Sequence, residues 1–276
     1  MTSLSLNKLP FSSNKPPIGV FDSGVGGISV LKHIHALLPH EDLLYVADSK
    51  YAPYGSKTPA EITARCFEIA DFLIAKNAKA LVVACNTATA AAIDAMRAKY
   101  DLPIIGMEPA VKPAAAATKS GIIGVLATVG TLKSAQFAAL LENYGRNVEV
   151  VTQACVGLVE CIERGELTSQ STLELVQQYC KPLLEEGADT IVLGCTHYPF
   201  VRPLIEQTVG ADVTLIDTGE AVARHLQKRL LALNLLADAN EGNQLSEITF
   251  WTNSEIAQPQ LIINQLWGKA APVNFL

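Results

Sequence analysis

Twice along the chain a short β-branched run passes through a turn into an amphipathic helix, and the two sets of landmarks keep the same order at nearly constant spacing. Ile18-Gly19-Val20-Phe21 is echoed by Ile123-Gly124-Val125-Leu126 at 105 residues, Cys85 by Cys195 at 110 and Ile105 by Ile216 at 111, with Ala110-Val111 answered by Ala221-Val222. Landmarks that preserve order and offset signal an internal duplication. Strands alternating with amphipathic helices predict parallel sheets covered on both faces. The expected fold is therefore α/β: two similar doubly wound parallel-sheet half-domains, with the site in the cleft between them.

The expected division is an irregular tail over residues 1–17, a first α/β domain from residues 18–110 with 218–276, and a second over 111–217. In that plan the strand Ile248–Trp251 and the helix around Leu261–Trp267 return to the first half. Further strands are expected at Leu43–Ala47, Leu81–Ala84, Pro103–Gly106 and Val148–Val151. Thr58, Pro59 and Glu61 supply an N-cap, a first-turn proline and a capping-box acid, after which Ile62, Cys66, Ile69 and Leu73 form a buried stripe.

Composition narrows the function classes. With 49% hydrophobic and 17% charged residues, the 276-residue chain has the makeup of a globular protein with a sizeable core. A net charge of −6 without a basic stripe argues against nucleic acid as a partner. No apolar run reaches the roughly 18 residues of a membrane span. The first 17 residues, broken by Lys8, Pro10, Lys15, Pro16 and Pro17, do not read as a signal peptide. Six cysteines without a CxxC pair or zinc-ligand spacing point to free thiols in a reducing cytoplasm and to no bound metal.

Ligands of such sheets collect at the carboxyl ends of strands, where Asp22, Cys85, Thr128 and Cys195 fall. Cys66, Cys161 and Cys180 lie on helical faces and Cys155 follows a strand, so these four read as small buried hydrophobes. Cys85 and Cys195 instead occupy equivalent strand-to-helix junctions facing a shared cleft. A free thiol is only about 3% ionised at neutral pH, so a catalytic cysteine needs a helix N-terminus or a cationic neighbour. Helices starting after Asn86 and after Pro199 would supply the first, and His197 a proton partner two residues from Cys195; His33, His35, His40 and His225 read as surface or capping residues.

Asp22 and Ser23 open a turn, Gly24-Val25-Gly26-Gly27, whose glycines would let backbone approach a ligand closely. It fits neither nucleotide-binding glycine pattern. Asn86, Thr87 and Thr196 offer donors beside helix N-termini, ready for a carboxylate. Tyr54 and Gly55 follow Pro53 in a loop where Gly55 can present its N–H.

Gly19-Val20-Phe21-Asp22-Ser23-Gly24, Pro53-Tyr54-Gly55, Ala84-Cys85-Asn86-Thr87-Ala88 and Gly194-Cys195-Thr196-His197-Tyr198-Pro199 together resemble the glutamate racemases of the aspartate/glutamate racemase family, over roughly residues 18–225. The resemblance implies cofactor-independent interconversion of L- and D-glutamate for peptidoglycan. Cys85 then matches the acid/base for D-glutamate, assisted by Asp22, and Cys195 that for L-glutamate, assisted by His197. Asp22, Ser23, Tyr54, Gly55, Asn86, Thr87, Thr196 and His197 match the substrate-contacting positions. A supporting glutamate of the family is best matched by Glu163; Glu160 and Glu166 remain alternatives, because Ala154-Cys155-Val156 lacks the usual proline. Glutamate is the implied partner, a cell-wall precursor the possible activator and a homodimer the possible assembly.

The chemistry agrees with the residues. Inverting a carbon without an electron sink requires a base on one face and an acid on the other. An aspartate or broader amino-acid racemase would share both cysteines, with glutamate typical where this chain has His197. A non-catalytic amino-acid sensor would leave both thiols dispensable, and a cysteine hydrolase would leave one without a purpose.

Overall fold

The computed structural model describes residues 15–237 and 246–276, so the expected tail, apart from its last three residues, lies outside them. The first four strands are β1 (Ile18–Asp22), β2 (Leu43–Ala47), β3 (Ala80–Val83) and β4 (Ile104–Ile105). The next four are β5 (Ile122–Ala127), β6 (Glu149–Ala154), β7 (Thr190–Leu193) and β8 (Thr214–Ile216), followed by β9 (Ile248–Thr252) and β10 (Val273–Phe275). All pair in parallel, in one sheet of order β10-β9-β2-β1-β3-β4 and another of order β6-β5-β7-β8.

Without β9 and β10, the first sheet repeats the second strand for strand. The register repeats too: Val20 faces Val82 across β1 and β3, and Val125 faces Val192 across β5 and β7. Even a packing detail is shared. A Cβ at Gly19 would stand 3.0 Å from Leu73 Cδ1, and one at Gly124 2.7 Å from Leu183 Cδ1. In each half a bare strand position lets the crossover helix settle close to the sheet.

Each sheet is covered on both faces. Ile18, Val20, Leu43 and Tyr45 pack with Ile28, Leu31 and Ile34 and with Val222, Leu226 and Ile263. On the opposite face Phe21, Leu44, Val46, Leu81 and Val83 meet the stripe Ile62, Cys66, Ile69 and Leu73 as the sequence predicts. That stripe's helix, Pro59–Ala75, begins in the expected capping box: Glu61 N–H donates to Thr58 Oγ1 at 3.3 Å and Thr58 N–H to Glu61 Oε2 at 2.8 Å. In the second half Leu126, Ile191 and Leu193 pack with Val176, Leu183 and Ile205, and Ile123, Val125 and Val192 with Val111, Ala114 and Phe137.

Two local expectations differ. The strand expected at Val148–Val151 runs as Glu149–Ala154, because β6 is an edge strand whose exposed Thr152 and half-buried Gln153 still pair with β5. The helix expected after Pro199 begins at Arg202, behind a 3₁₀ turn over Tyr198–Val201. Pro203 has no N–H for the carbonyl of Pro199, so a regular α-helix cannot run through this junction from its start.

Candidate active site

Parallel strands deliver the candidate residues to one edge. β1 ends at Asp22; β3 and β7 each end two residues before a cysteine, Cys85 and Cys195. Both cysteines, with Ser23, Tyr54, Gly55, Asn86, Thr87, Thr196 and His197, line a narrow cavity between the two sheets. Pro53, Thr128, Val159 and Gly194 complete its wall. Asp22 and Glu163 stand one layer behind, each touching a lining side chain.

The two thiols have different surroundings. Cys85 is the N-cap of helix Asn86–Lys99, and Ala88 N–H donates to its sulfur at 3.4 Å. Burial raises its pKa well above the ordinary thiol value, and the charge of Asp22 adds to the rise against the opposing help of the Ala88 N–H. A charge on Cys195 raises it further, so the two sulfurs sit within electrostatic reach of each other.

Cys195 has no α-helical cap, since the regular helix starts only at Arg202. Its polar partner is His197, whose Nδ1 lies 3.7 Å from Sγ. The other ring nitrogen, Nε2, is 2.6 Å from Glu163 Oε1. Burial opposes charging this ring, but the contacts with Cys195 and Glu163 win and raise its pKa well above that of an ordinary imidazole. Glu163 is therefore the glutamate brought to the site. Glu166 is held by Arg164 at 2.8 Å, and Glu160 lines a neighbouring groove.

Asp22 is fully buried. Its carboxylate accepts the N–H of Ser23 at 2.6 Å and of Gly27 at 2.7 Å, and the Thr196 hydroxyl at 3.3 Å. Burial raises its pKa, with His197 and the N–H donors opposing. Asn86 is the reverse case: both atoms of its side-chain amide are buried with no partner among the described residues. An unmatched buried amide on a cavity wall is free to donate to a carboxylate or accept from an ammonium group. Thr87 completes a hydroxyl triangle across the cleft, 2.9 Å from Thr128 Oγ1 and 3.1 Å from Thr131 Oγ1.

Tyr54 offers the cavity its ring and backbone, because its hydroxyl donates to the buried carboxylate of Asp48. Asp48 also accepts from Arg65 at 2.8 and 3.0 Å and from the side-chain amide of Asn253. Sequence reasoning missed this brace, which joins residues from three separate segments. Thr128 was placed at a strand end but not in the site; its equivalence to Ser23 under the 105-residue offset was the available signal. Among the described residues no group of three or more His, Cys, Asp or Glu is placed to hold a metal ion.

A cleft between two like parallel sheets, with one thiol from each side and polar donors between, defines the class of amino-acid racemases. The family model described as Asp/Glu/hydantoin racemase matches residues 18–226, and the chain belongs to that family and, within it, to the glutamate racemases. A glutamate racemase of Ectopseudomonas mendocina is 56% identical over 95% of this chain and 99% of its own. Among solved structures, a glutamate racemase isoform from Bacillus anthracis superposes with TM-score 0.85 at 35% identity, over 95% of this chain and 97% of that one. The Escherichia coli glutamate racemase, solved with L-glutamate and the activator UDP-MurNAc-Ala, superposes with TM-score 0.82 at 30% identity, over 95% and 98%.

Proposed function

We propose that this chain interconverts L- and D-glutamate without a cofactor, Cys85 and Cys195 acting as acid and base on opposite faces of the α-carbon. The observation that carries this reading is the placement of the two sulfurs at equivalent junctions on one cavity. In the L-to-D direction the Cys195 thiolate takes the α-proton and the Cys85 thiol delivers one to the other face. The product leaves with the two protonation states exchanged, and the reverse reaction or proton exchange with water resets them.

The surroundings suit those states. Asp22 and burial favour Cys85 as a thiol, while Cys195 has the His197 imidazole, itself backed by Glu163, 3.7 Å from its sulfur as a proton partner. Asn86, Thr87 and Thr196 would hold the substrate's charged groups, and excluding water from so small a cavity would strengthen their help to the carbanion-like transition state. The proposal extends to a two-domain division (18–110 with 218–276, and 111–217), a cytoplasmic location, a supply of D-glutamate for peptidoglycan, activation by a precursor of the UDP-MurNAc-Ala type and a homodimer.

The test is purified protein with L-glutamate in deuterated water and no added cofactor. D-Glutamate carrying deuterium at the α-carbon is expected on chiral chromatography with mass detection, and L-aspartate should turn over poorly. A strict requirement for pyridoxal phosphate, or racemisation that survives loss of either thiol, would overturn the mechanism.

A further inference from the structure

The turn Gly24-Val25-Gly26-Gly27 reads from sequence as a place where backbone approaches a ligand. In the structure it is protein that comes close. A Cβ at Gly24 would stand 1.9 Å from Glu163 Oε1, and one at Gly26 would stand 2.2 Å from His197 Nδ1. Both distances are far inside van der Waals contact, so any side chain at either position would have to displace the residue opposite.

Between these two bare positions Val25 donates its N–H to Glu163 Oε1 at 2.8 Å, the same oxygen that meets His197 Nε2 at 2.6 Å. A few residues on, Ser29 Oγ donates to the carbonyl of Thr196 at 2.8 Å, gripping the residue between Cys195 and His197. The turn follows β1 in the first sheet, whereas Glu163, Thr196 and His197 belong to segments packed on the second.

Accepting the two-thiol reading of the site, we infer that Gly24, Val25 and Gly26 are positioning residues: they form the seat that holds the His197–Glu163 pair against Cys195. The acid/base apparatus of the second thiol is thus completed by the first half. The duplication supplies two sulfurs, but only contact between the halves makes the Cys195 side competent. Parting of the halves would strip Glu163 of the Val25 N–H and leave the imidazole without its support.

The experiment compares Gly24→Ala, Gly26→Ala, Glu163→Asp and the double variant Gly24→Ala/Glu163→Asp with the parent protein. Three readouts are taken: glutamate turnover, iodoacetamide alkylation of Cys85 and Cys195 resolved by peptide mass, and the His197 imidazole N–H resonances in ¹⁵N-histidine protein. Gly26→Ala is expected to slow Cys195 alkylation roughly tenfold while Cys85 stays within about twofold. It should also shift the His197 resonances and cut kcat about a hundredfold, as ångström-scale misplacement does.

The double variant should turn over faster than Gly24→Ala alone, because the shorter aspartate side chain of Glu163→Asp vacates the space the new methyl needs. Folded alanine variants that keep the parental Cys195 alkylation and imidazole resonances would overturn the seat, as would losses in Gly24→Ala and Glu163→Asp that simply multiply. If Gly24→Ala does not fold, the double variant must restore a cooperative melt, and its failure to do so counts equally against the proposal. Absence of glutamate turnover in the parent protein would sink the racemase reading alone, since alkylation and resonances still decide the seat.

Discussion

The two halves are the same strand plan carrying different chemistry at matched positions. After the first thiol come Asn86 and Thr87; after the second, Thr196 and His197. β1 ends in Asp22, whereas its counterpart β5 ends in Ala127. The first half therefore sets its carboxylate beside its own thiol directly, while the second brings Glu163 through an imidazole. Duplication fixed where the sulfurs stand. Divergence then gave each sulfur a different control, which suits a reaction in which one must be thiol while the other is thiolate.

The sharpest way to break the comparison is to remove one sulfur at a time. Cys85→Ser and Cys195→Ser should each cut racemisation by at least about 10³-fold, within the range ascribed to a positioned acid or base. L- and D-glutamate have equal free energies, so kcat/KM must fall equally in the two directions for either variant. Isothermal titration should show glutamate binding largely kept. A serine variant retaining more than a tenth of parental turnover would show that its half is not chemically engaged.

The next contrast lies beneath the cavity. Asp48 and Cys155 are counterparts, each donating its backbone N–H to the last residue of the first strand of its half, at 3.1 and 3.0 Å. Asp48 anchors Tyr54, Arg65 and Asn253, whereas Cys155 sits in an apolar cluster. Asp48→Ala leaves Arg65 without its buried partner and should cost about 3–5 kcal/mol in a denaturant melt. Cys155→Ala should cost about 1 kcal/mol. Similar losses for the two would erase the distinction between a polar brace and an apolar one.

Much of this asymmetry was readable before the fold. Cys85 and Cys195 stood out because both end a β-branched run at the same place in a repeat, and His197 because it lies two residues from a thiol. The resemblance favoured Glu163 over Glu160 and Glu166, but the residues alone did not decide between them. They are spaced three apart, and only a contact with His197 from a different segment selects the middle one. The Asp48 brace was invisible for a related reason, joining residues 17 and 205 positions apart with no periodicity to betray them. The glycine turn was seen but assigned to a ligand, since sequence shows that space is needed and not what fills it.

A pH profile sharpens the comparison on the Cys85 side. Cys85 must be a thiol when it delivers a proton, and burial with the charge of Asp22 raises its pKa. The alkaline limb of kcat/KM should therefore lie above the ordinary thiol range. Asp22→Asn removes the negative charge, so the Cys85 pKa falls and that limb should move down by about one unit. The limb should move alike in both reaction directions. An upward shift, or none, would mean that Asp22 does not act through Cys85.

The smallest expected difference tests the scaffold. The equivalent crossover helices are Pro59–Ala75, entered through the Thr58–Glu61 capping box, and Gln170–Glu185, whose cap Ser169 accepts from Thr172 N–H at 3.2 Å and whose third residue is not an acid. Thr58→Ala and Ser169→Ala should each destabilise by about 1 kcal/mol. Thr58→Ala should exceed Ser169→Ala by a few tenths, because it also removes the hydroxyl bond that Thr58 Oγ1 donates to the Glu61 carboxylate at 2.7 Å. Two distinct thermal transitions, each shifted by the cap in its own half, would mean that the halves melt independently. One shared transition moved by either change would show that the contacts across the cleft, the glycine seat among them, couple duplicated units into one cooperative fold.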